Sequence, residues 1–143
     1  MFCKRSWWRW LLVGLIGGLG CGPRVAEVTG TVRVNGKPLA DIEVYFIPDG
    51  QQRTKGPRAV GVTDAEGHYR LDSGTLGPGA LIGHHRVMLV DSLALAPVPG
   101  DRSRPSVPQP TRIPDKYMSA TTTPLRAEVK AQSQVFDWDI TSP

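Results

Sequence analysis

The stretch Val-Thr-Gly-Thr-Val-Arg-Val-Asn-Gly-Lys-Pro, residues 28–38, decides the fold of this chain. Small or apolar residues alternate with polar ones along 28–34, which is the period of a half-buried β-strand. Asn35 and Gly36 follow directly, and this dipeptide is the strongest short signal for a tight hairpin, because both turn residues take positive φ. Pro38 then fixes φ as the chain leaves the turn. The stretch therefore predicts a strand, a hairpin turn and a returning strand.

The same two-residue period recurs along the rest of the chain, in short segments separated by turn-forming residues. The 16 glycines and 13 prolines fit a chain with many turns. No segment after residue 24 shows a 3.6-residue apolar stripe, so long helices are not expected. Seven short strands with turns between them predict an all-β, antiparallel β-sandwich. The predicted strands are 28–34, 42–47, 60–62, 69–71, 86–90, 125–129 and 136–140.

The first twenty residues differ in composition from the rest. Lys4, Arg5 and Arg9 give a basic start, and an uncharged, mostly apolar run of 11 residues fills 10–20. A membrane-spanning helix needs about 20 apolar residues, whereas this run has the length of the apolar region of a signal peptide. We therefore predict a signal peptide over 1–20.

The leader ends in Gly-Leu-Gly-Cys, residues 18–21, which resembles the lipobox of bacterial lipoproteins, with Gly18 where leucine is usual. The resemblance implies that the mature chain begins at Cys21 and that this residue carries the lipid, a diacylglyceryl group with a further acyl chain such as palmitate. Two or three acyl chains anchor a protein firmly to a membrane. We expect 21–24 to be a lipid-anchored tether and 25–143 the domain, on the periplasmic or outer face of the cell envelope. An ordinary signal peptide with an incidental cysteine is the alternative.

The net charge argues against one function class for the mature chain, and the cysteine content argues against an internal disulfide. Three of the 17 basic residues and none of the 13 acidic ones lie in the leader, so the mature chain has a net charge of +1. Such a chain has no electrostatic reason to bind nucleic acid. Cys3 lies in the leader, so no internal disulfide is expected after cleavage.

Several motifs occur in the order and spacing of a known domain. The hairpin region 28–44, the run Gly-Val-Thr-Asp-Ala-Glu-Gly-His-Tyr-Arg-Leu at 61–71 and the closing Phe-Asp-Trp-Asp-Ile at 136–140 resemble the carboxypeptidase regulatory-like domain of small bacterial lipoproteins. The resemblance spans roughly 25–141 and implies a seven-stranded Greek-key sandwich of transthyretin-like (prealbumin-like) topology. Such domains are generally structural or interaction modules without catalytic activity. The related hydroxyisourate hydrolases end in Tyr-Arg-Gly-Ser, which this chain lacks.

The titratable residues form no pattern that indicates a catalytic or metal site. His84 and His85 are neighbours, and neighbours on a strand point to opposite faces, so we expect one exposed and one packed. His68 stands alone, and no spacing matches a zinc site. The run from Asp64 to Gly67 lacks the further ligands of a calcium loop and is interpreted as a turn that Asp64 stabilises. We predict no catalytic residue, no metal and no cofactor.

Acidic side chains near the C-terminus have a similar structural interpretation. Asp137 and Asp139 share one face of the last strand. A hairpin with the preceding strand would place them near Arg126 and Lys130. We therefore interpret the two acids as partners in cross-strand charge pairs on a solvated face, rather than as the paired carboxylates of a hydrolase.

A long proline-rich loop is predicted over 93–114, because proline cannot donate to a β-ladder. Arg102, Arg104 and Arg112 form a basic strip along it. We interpret this strip as solvated, with contact to anionic lipid or to an envelope polymer as the alternative.

The combined expectation is a non-catalytic, lipid-anchored envelope protein that binds a protein or polysaccharide partner through the loop 93–114 and its edge strands. One alternative is an accessory subunit of an envelope hydrolase or peptidase, which would need a cleft that joins His68, His84 or His85 to a carboxylate. Another alternative, by analogy of fold only, is a carrier of a small apolar ligand in a dimer cleft.

Overall fold

The computed structural model describes residues 24–95 and 110–142, which form a mostly β protein. The predicted signal peptide, Cys21 and most of the loop 93–114 lie outside the described residues. The strands are β1 (Val25–Ala26), β2 (Val28–Val34), β3 (Lys37–Pro38), β4 (Ile42–Pro48), β5 (Ala59–Val62), β6 (His68–Arg70), β7 (Ala80–Leu81), β8 (Gly83–Asp91), β9 (Arg126–Val129), β10 (Gln134–Val135) and β11 (Trp138–Ile140).

Helical structure is confined to short turns. One four-residue helix, α1, covers Ser92–Leu95, and single 3₁₀ turns cover Gly50–Gln52, Gly74–Leu76 and Asp115–Tyr117. Within 24–95 and 110–142, no helix has the length and apolar character needed to cross a membrane.

Each of the seven segments predicted from alternation overlaps one of these strands. In β2, Val28 and Val32 lie on the inner face and are completely buried, whereas Arg33 lies on the outer face and is exposed. The predicted hairpin is also present, since Asn35 and Gly36 take φ values of 51° and 79° between β2 and β3. The prediction of a mostly β fold is therefore confirmed for the described residues.

The four-stranded sheet is antiparallel throughout and has the order β5-β4-β8-β9, and a separate antiparallel pair joins β1 to β7. β4 pairs with β8 along its whole length. Alternation turns Ile42, Val44 and Phe46 of β4 inward, and all three are completely buried. This central pair therefore supplies one wall of the core.

The remaining sheet has five strands and is built around β2. Antiparallel β3 and β6 flank β2 on one side, and β10 and β11 flank it on the other side as parallel strands. The expectation of a wholly antiparallel sandwich is therefore wrong at the C-terminal strand. The turn at 131–133 carries the chain across to the second sheet, so that Val129 and Ile140 are both buried, each in a different sheet.

This crossing also corrects the predicted charge pairs. β9 pairs with β8 and not with the last strand, so the expected hairpin does not form. Within the described chain, Asp137 and Asp139 make no ion pair with Arg126 or Lys130. Asp139 instead accepts a hydrogen bond of 3.2 Å from the backbone N–H of Gly36 and supports the first hairpin.

Gly30 allows the parallel strand to approach β2 closely. A Cβ atom at this position would lie 1.8 Å from the carbonyl oxygen of Phe136. That oxygen accepts a hydrogen bond of 2.6 Å from the Tyr69 hydroxyl, and the Trp138 indole N–H donates to the same hydroxyl at 3.1 Å. Burial raises the pKa of Tyr69, so the hydroxyl keeps its proton as a donor. These contacts hold the last strand against β2.

The two sheets also meet along one side, where Val60 and Asp72 exchange two backbone hydrogen bonds of 2.9 Å. Side chains from both sheets and from the chain after the long loop fill the space between them. The largest completely buried side chains are Phe46, Ile42, Leu71, Leu89, Ile113 and Ile140.

Candidate binding groove

A shallow groove of about 540 Å³ crosses the outer face of the sheet built on β2. The strand register arranges its side chains in rows. Arg70, Thr29 and Val135 lie opposite one another on β6, β2 and β10, and His68 lies opposite Thr31 in the next row. The groove therefore depends on the parallel docking of the C-terminal strand, which supplies one of its walls.

The rims of the groove are apolar and its middle is polar. Val62 and Val135 both line it, with 55% and 68% of their surface exposed. Between them lie two threonine hydroxyls, an imidazole and a guanidinium. Exposed apolar side chains beside fixed polar groups are typical of a recognition surface.

The carboxylates in the groove have structural roles that can be traced. Asp64 accepts hydrogen bonds from the backbone N–H groups of Glu66 and His68, at 3.0 and 2.9 Å. The hydrogen bond from His68 is the main cause of a lowered pKa for Asp64. Gly67 has a φ of 78°, so the predicted Asp64–Gly67 turn is confirmed. Asp137 also lines the groove.

The two neighbouring histidines lie in the other sheet and not in the groove. They point to opposite faces of β8 as predicted, with His84 exposed and His85 only 1% exposed. Nε2 of His85 lies 2.7 Å from the carbonyl oxygen of Leu81, and Nδ1 has no partner among the described residues. Burial lowers the pKa of His85, and the contact with Leu81 offsets this only in part. His85 is therefore a neutral core residue.

Within 24–95 and 110–142, no three histidine, cysteine, aspartate or glutamate side chains are grouped closely enough to hold a metal ion.

A buried ion pair that the sequence did not reveal closes the base of the long loop. Asp91 is 1% exposed, at the end of β8. The Arg112 guanidinium donates to both of its carboxylate oxygens, at 2.6 and 2.8 Å, and the Arg112 backbone N–H donates at 3.0 Å. Arg112 also donates to the carbonyl oxygen of Ala40 at 3.1 Å.

The electrostatics of this pair favour the ionised form. Burial raises the pKa of Asp91, but the hydrogen bonds and charge of Arg112 outweigh burial and lower it overall. Arg112 therefore does not belong to a solvated basic strip, and that interpretation is wrong at this residue. Arg102 and Arg104 lie outside the described residues. The sequence did carry one signal, because Asp91 occupies an inward position two residues after Leu89.

The outer edge of β9, a predicted contact surface, is partly covered by a side chain. The Lys130 backbone N–H donates to the Gln134 amide oxygen at 2.5 Å, and the Gln134 amide nitrogen donates to the Glu128 carbonyl at 3.4 Å. One side-chain amide thus occupies backbone groups that an added strand would need.

Comparison with known proteins adds no family. No family model, no curated protein and no solved structure matches this chain. The groove and the buried polar groups are therefore interpreted from their geometry.

Replacing Arg112 with alanine leaves Asp91 buried without its cation. We expect the free energy of unfolding to fall by about 2–4 kcal/mol, less than for a fully buried pair, since the Arg112 side chain is 33% exposed. Urea unfolding measures this loss. The matched control is Arg70→Ala, whose ion pair with Glu27 is exposed on both sides and should contribute less than about 1 kcal/mol. Equal losses in the two variants would contradict the role assigned to Arg112.

His85 predicts a pH-dependent stability. Its pKa is lowered in the folded state, so the unfolded chain binds more protons below the ordinary value of about 6.5. The free energy of unfolding should therefore decrease as the pH falls from about 7 to about 5. His85→Gln retains an amide donor for Leu81 but cannot titrate, so its urea midpoints should change less over this range. His84→Gln, at an exposed position, should behave like the unmodified protein. An unchanged pH slope in His85→Gln would rule out this assignment.

Proposed function

We propose that the protein is a non-catalytic, lipid-anchored protein of the cell envelope whose β-domain presents a binding groove to a protein or polysaccharide partner. The observation that carries the binding role is the groove over β2, β6 and β10. It combines exposed valine rims with an ordered row of hydroxyl, imidazole and guanidinium groups on a rigid sheet. A site on paired strands is held more precisely than a site on a loop.

The position of the domain along the chain supports the anchor. β1 begins at Val25, only four positions after Cys21. The basic start, the apolar run and the small residue before Cys21 are the features on which lipoprotein processing depends. On this proposal the exported domain follows its lipid almost directly, at the periplasmic or outer face of the envelope.

We also propose that the domain belongs to the carboxypeptidase regulatory-like group, with a seven-stranded Greek-key topology of transthyretin type. Seven principal strands support this when β10 and β11 are counted as one interrupted strand and the two-residue strands β1, β3 and β7 are set aside. The Asn35-Gly36 hairpin and the Asp64–Gly67 turn occupy the positions at which the sequence resembled that group.

The shape and chemistry of the groove suit an extended partner chain. A polypeptide laid across the strands would meet a valine at each rim and polar groups between the rims. Arg70, which is ion-paired with Glu27, and Asp137 put groups of opposite charge in one groove, so a partner would be selected by position rather than by net charge. A polysaccharide would use the same hydroxyl and charged groups as hydrogen-bond partners.

The accessory-hydrolase alternative has less support from the geometry. His68 shares the groove with Asp64 and Asp137, but Asp64 is engaged by two backbone donors, and His84 and His85 lie on the other sheet. The ligand-carrier alternative would require an apolar cleft between two copies, whereas the groove on this domain is shallow and lined partly by polar groups.

Metabolic labelling tests the anchor. Cells that express the full chain and take up labelled palmitate should mark the protein, because the Cys21 thiol and the new amino terminus receive acyl chains. Cys21→Ser should abolish the label. Cys3→Ser is the matched control and should retain it, since Cys3 leaves with the signal peptide. Label in the Cys21→Ser protein, or its absence from the unmodified protein, would refute the anchor.

A charge placed on the groove rim tests the binding role. Val135→Glu should weaken binding of the mature protein to its envelope partner about tenfold, because the rim is desolvated when the partner docks. Ala131→Glu is the control, since Ala131 is also exposed but lies outside the groove and outside the loop 93–114. Binding is measured separately with purified wall polysaccharide and with cross-linked envelope protein. Equal binding by both variants would remove the groove from the proposal.

A further inference from the structure

Cations surround the point at which the domain follows its predicted tether. Arg24, Arg53 and Lys55 line one depression, together with Leu81 and Ile82. All three cations are exposed. We refer to Arg24, Arg53 and Lys55 as the basic pole.

Backbone contacts fix two parts of this cluster. The Arg24 carbonyl accepts a hydrogen bond of 2.9 Å from the backbone N–H of Ile82, which extends the pairing of β1 with β7. Arg53 ends the 3₁₀ turn after β4 with a φ of 62°, and its N–H donates to Gly50 at 3.2 Å. The cations therefore project from an ordered end of the domain.

The basic pole is not neutralised within the described part of the chain. None of its three side chains has an ion pair or a side-chain hydrogen bond there. The acids nearest in sequence have other partners, because Glu27 pairs with Arg70 and Asp49 pairs with Arg86. The positive charge is thus available to an external partner.

The opposite end of the domain carries acids. β2 starts beside β1 and runs for seven residues to the Asn35-Gly36 hairpin, a length of about 20 Å. Backbone hydrogen bonds and side-chain contacts bring the neighbouring turns to that hairpin. The acidic residues of these turns, Asp41, Asp64, Glu66 and Asp139, outnumber the exposed cations at the same end, Arg33 and Lys37. The hairpin end therefore has a net negative charge, whereas the basic pole is positive.

The tether sets how far the basic pole can lie from a membrane. Four peptide steps join Cys21 to Val25, and a fully extended chain of this length spans at most about 14 Å. This distance is close to the range of about 10 Å over which a charged surface acts at moderate salt. A domain held by lipid at Cys21 would keep its β1 end within the field of the headgroups.

We propose that the basic pole binds the anionic phospholipid surface of the bilayer that holds Cys21. The inference rests on the proposed lipid anchor and adds an orientation to it. Each cation near an anionic surface favours contact about fivefold, so three together favour it on the order of 100-fold at low salt. The acidic hairpin end then points away from the membrane, and the groove face of the β2 sheet stays accessible.

A fluorescence experiment on the mature, membrane-extracted protein tests this orientation. Single cysteines are introduced by Gln52→Cys beside the basic pole, or by Ala65→Cys in the acidic turn, and are labelled with a fluorophore. The acylated Cys21 has no free thiol to react. The protein is reconstituted into phosphatidylglycerol or phosphatidylcholine vesicles that contain a lipid with a nitroxide on its headgroup.

We expect the fluorophore at position 52 to be quenched about fivefold more than that at position 65 in phosphatidylglycerol vesicles. The difference should shrink to the smaller value that the tether alone gives in phosphatidylcholine, in high salt and in the variant Arg24→Glu/Arg53→Glu/Lys55→Glu. The control variant Arg33→Glu/Lys37→Glu/Lys116→Glu has the same net charge and reverses exposed cations elsewhere, so it should retain the difference. Equal quenching at both positions, or equal effects of the two triple variants, would overturn the proposal.

Failure of the anchor is detected separately. Mass spectrometry of the mature amino terminus shows whether Cys21 carries acyl chains. If it carries none, the proposed anchor fails. Flotation of the same protein with phosphatidylglycerol vesicles at low salt then tests whether the basic pole binds anionic lipid without the anchor. Flotation that only the Arg24, Arg53 and Lys55 reversal abolishes supports the basic pole, and flotation that both reversals leave equal refutes it.

Discussion

The close approach of the C-terminal strand to β2 at Gly30 is the constraint on which the rest of the structure depends. A side chain at residue 30 would occupy the position of the Phe136 carbonyl. Because the position is glycine, that carbonyl can reach the Tyr69 hydroxyl, and the hydroxyl can also accept from Trp138. Three segments distant in sequence are thereby locked together. The groove is the outer surface of the same junction, so the proposed recognition surface depends on the strands that stabilise the fold.

The local pattern of the sequence was sufficient to locate the strands but not to pair them. Alternation reports which side chains of a strand are buried, and it placed Ile42, Val44 and Phe46 in the core correctly. Positive φ at Asn35 and Gly36 was predictable because few residue pairs accept it. The last two strands have the same alternation whether they form a hairpin or join different sheets. The choice depends on which arrangement buries both inward faces, and that is a property of the whole chain.

In the candidate site too, the features that depend on neighbouring residues could be predicted, and those that depend on distant segments could not. The turn at Asp64 follows from neighbouring residues, and the opposite orientations of His84 and His85 follow from strand geometry. The groove could not be predicted in this way, because Thr29, His68 and Val135 come from three separate segments. The ion pair of Asp91 with Arg112 could be predicted only in part. Asp91 at an inward strand position indicates that a cation lies nearby, since burying a lone carboxylate is costly. Nothing in the spacing identifies Arg112 as that cation.

Because the two ends of β2 differ in charge, the net charge of the chain does not describe how the domain interacts with a charged surface. A mature chain with a net charge of +1 would be expected to ignore an anionic surface, yet a surface interacts with the nearest charges and not with the sum. The basic pole lies at the tethered end, whereas the acids of the hairpin end lie about 20 Å further along β2, beyond the screening length at physiological salt. Attraction at one end and negligible repulsion at the other would orient the domain without any specific lipid contact. A short tether and a charge-separated β-domain together are therefore sufficient to hold a groove at a defined angle to a membrane.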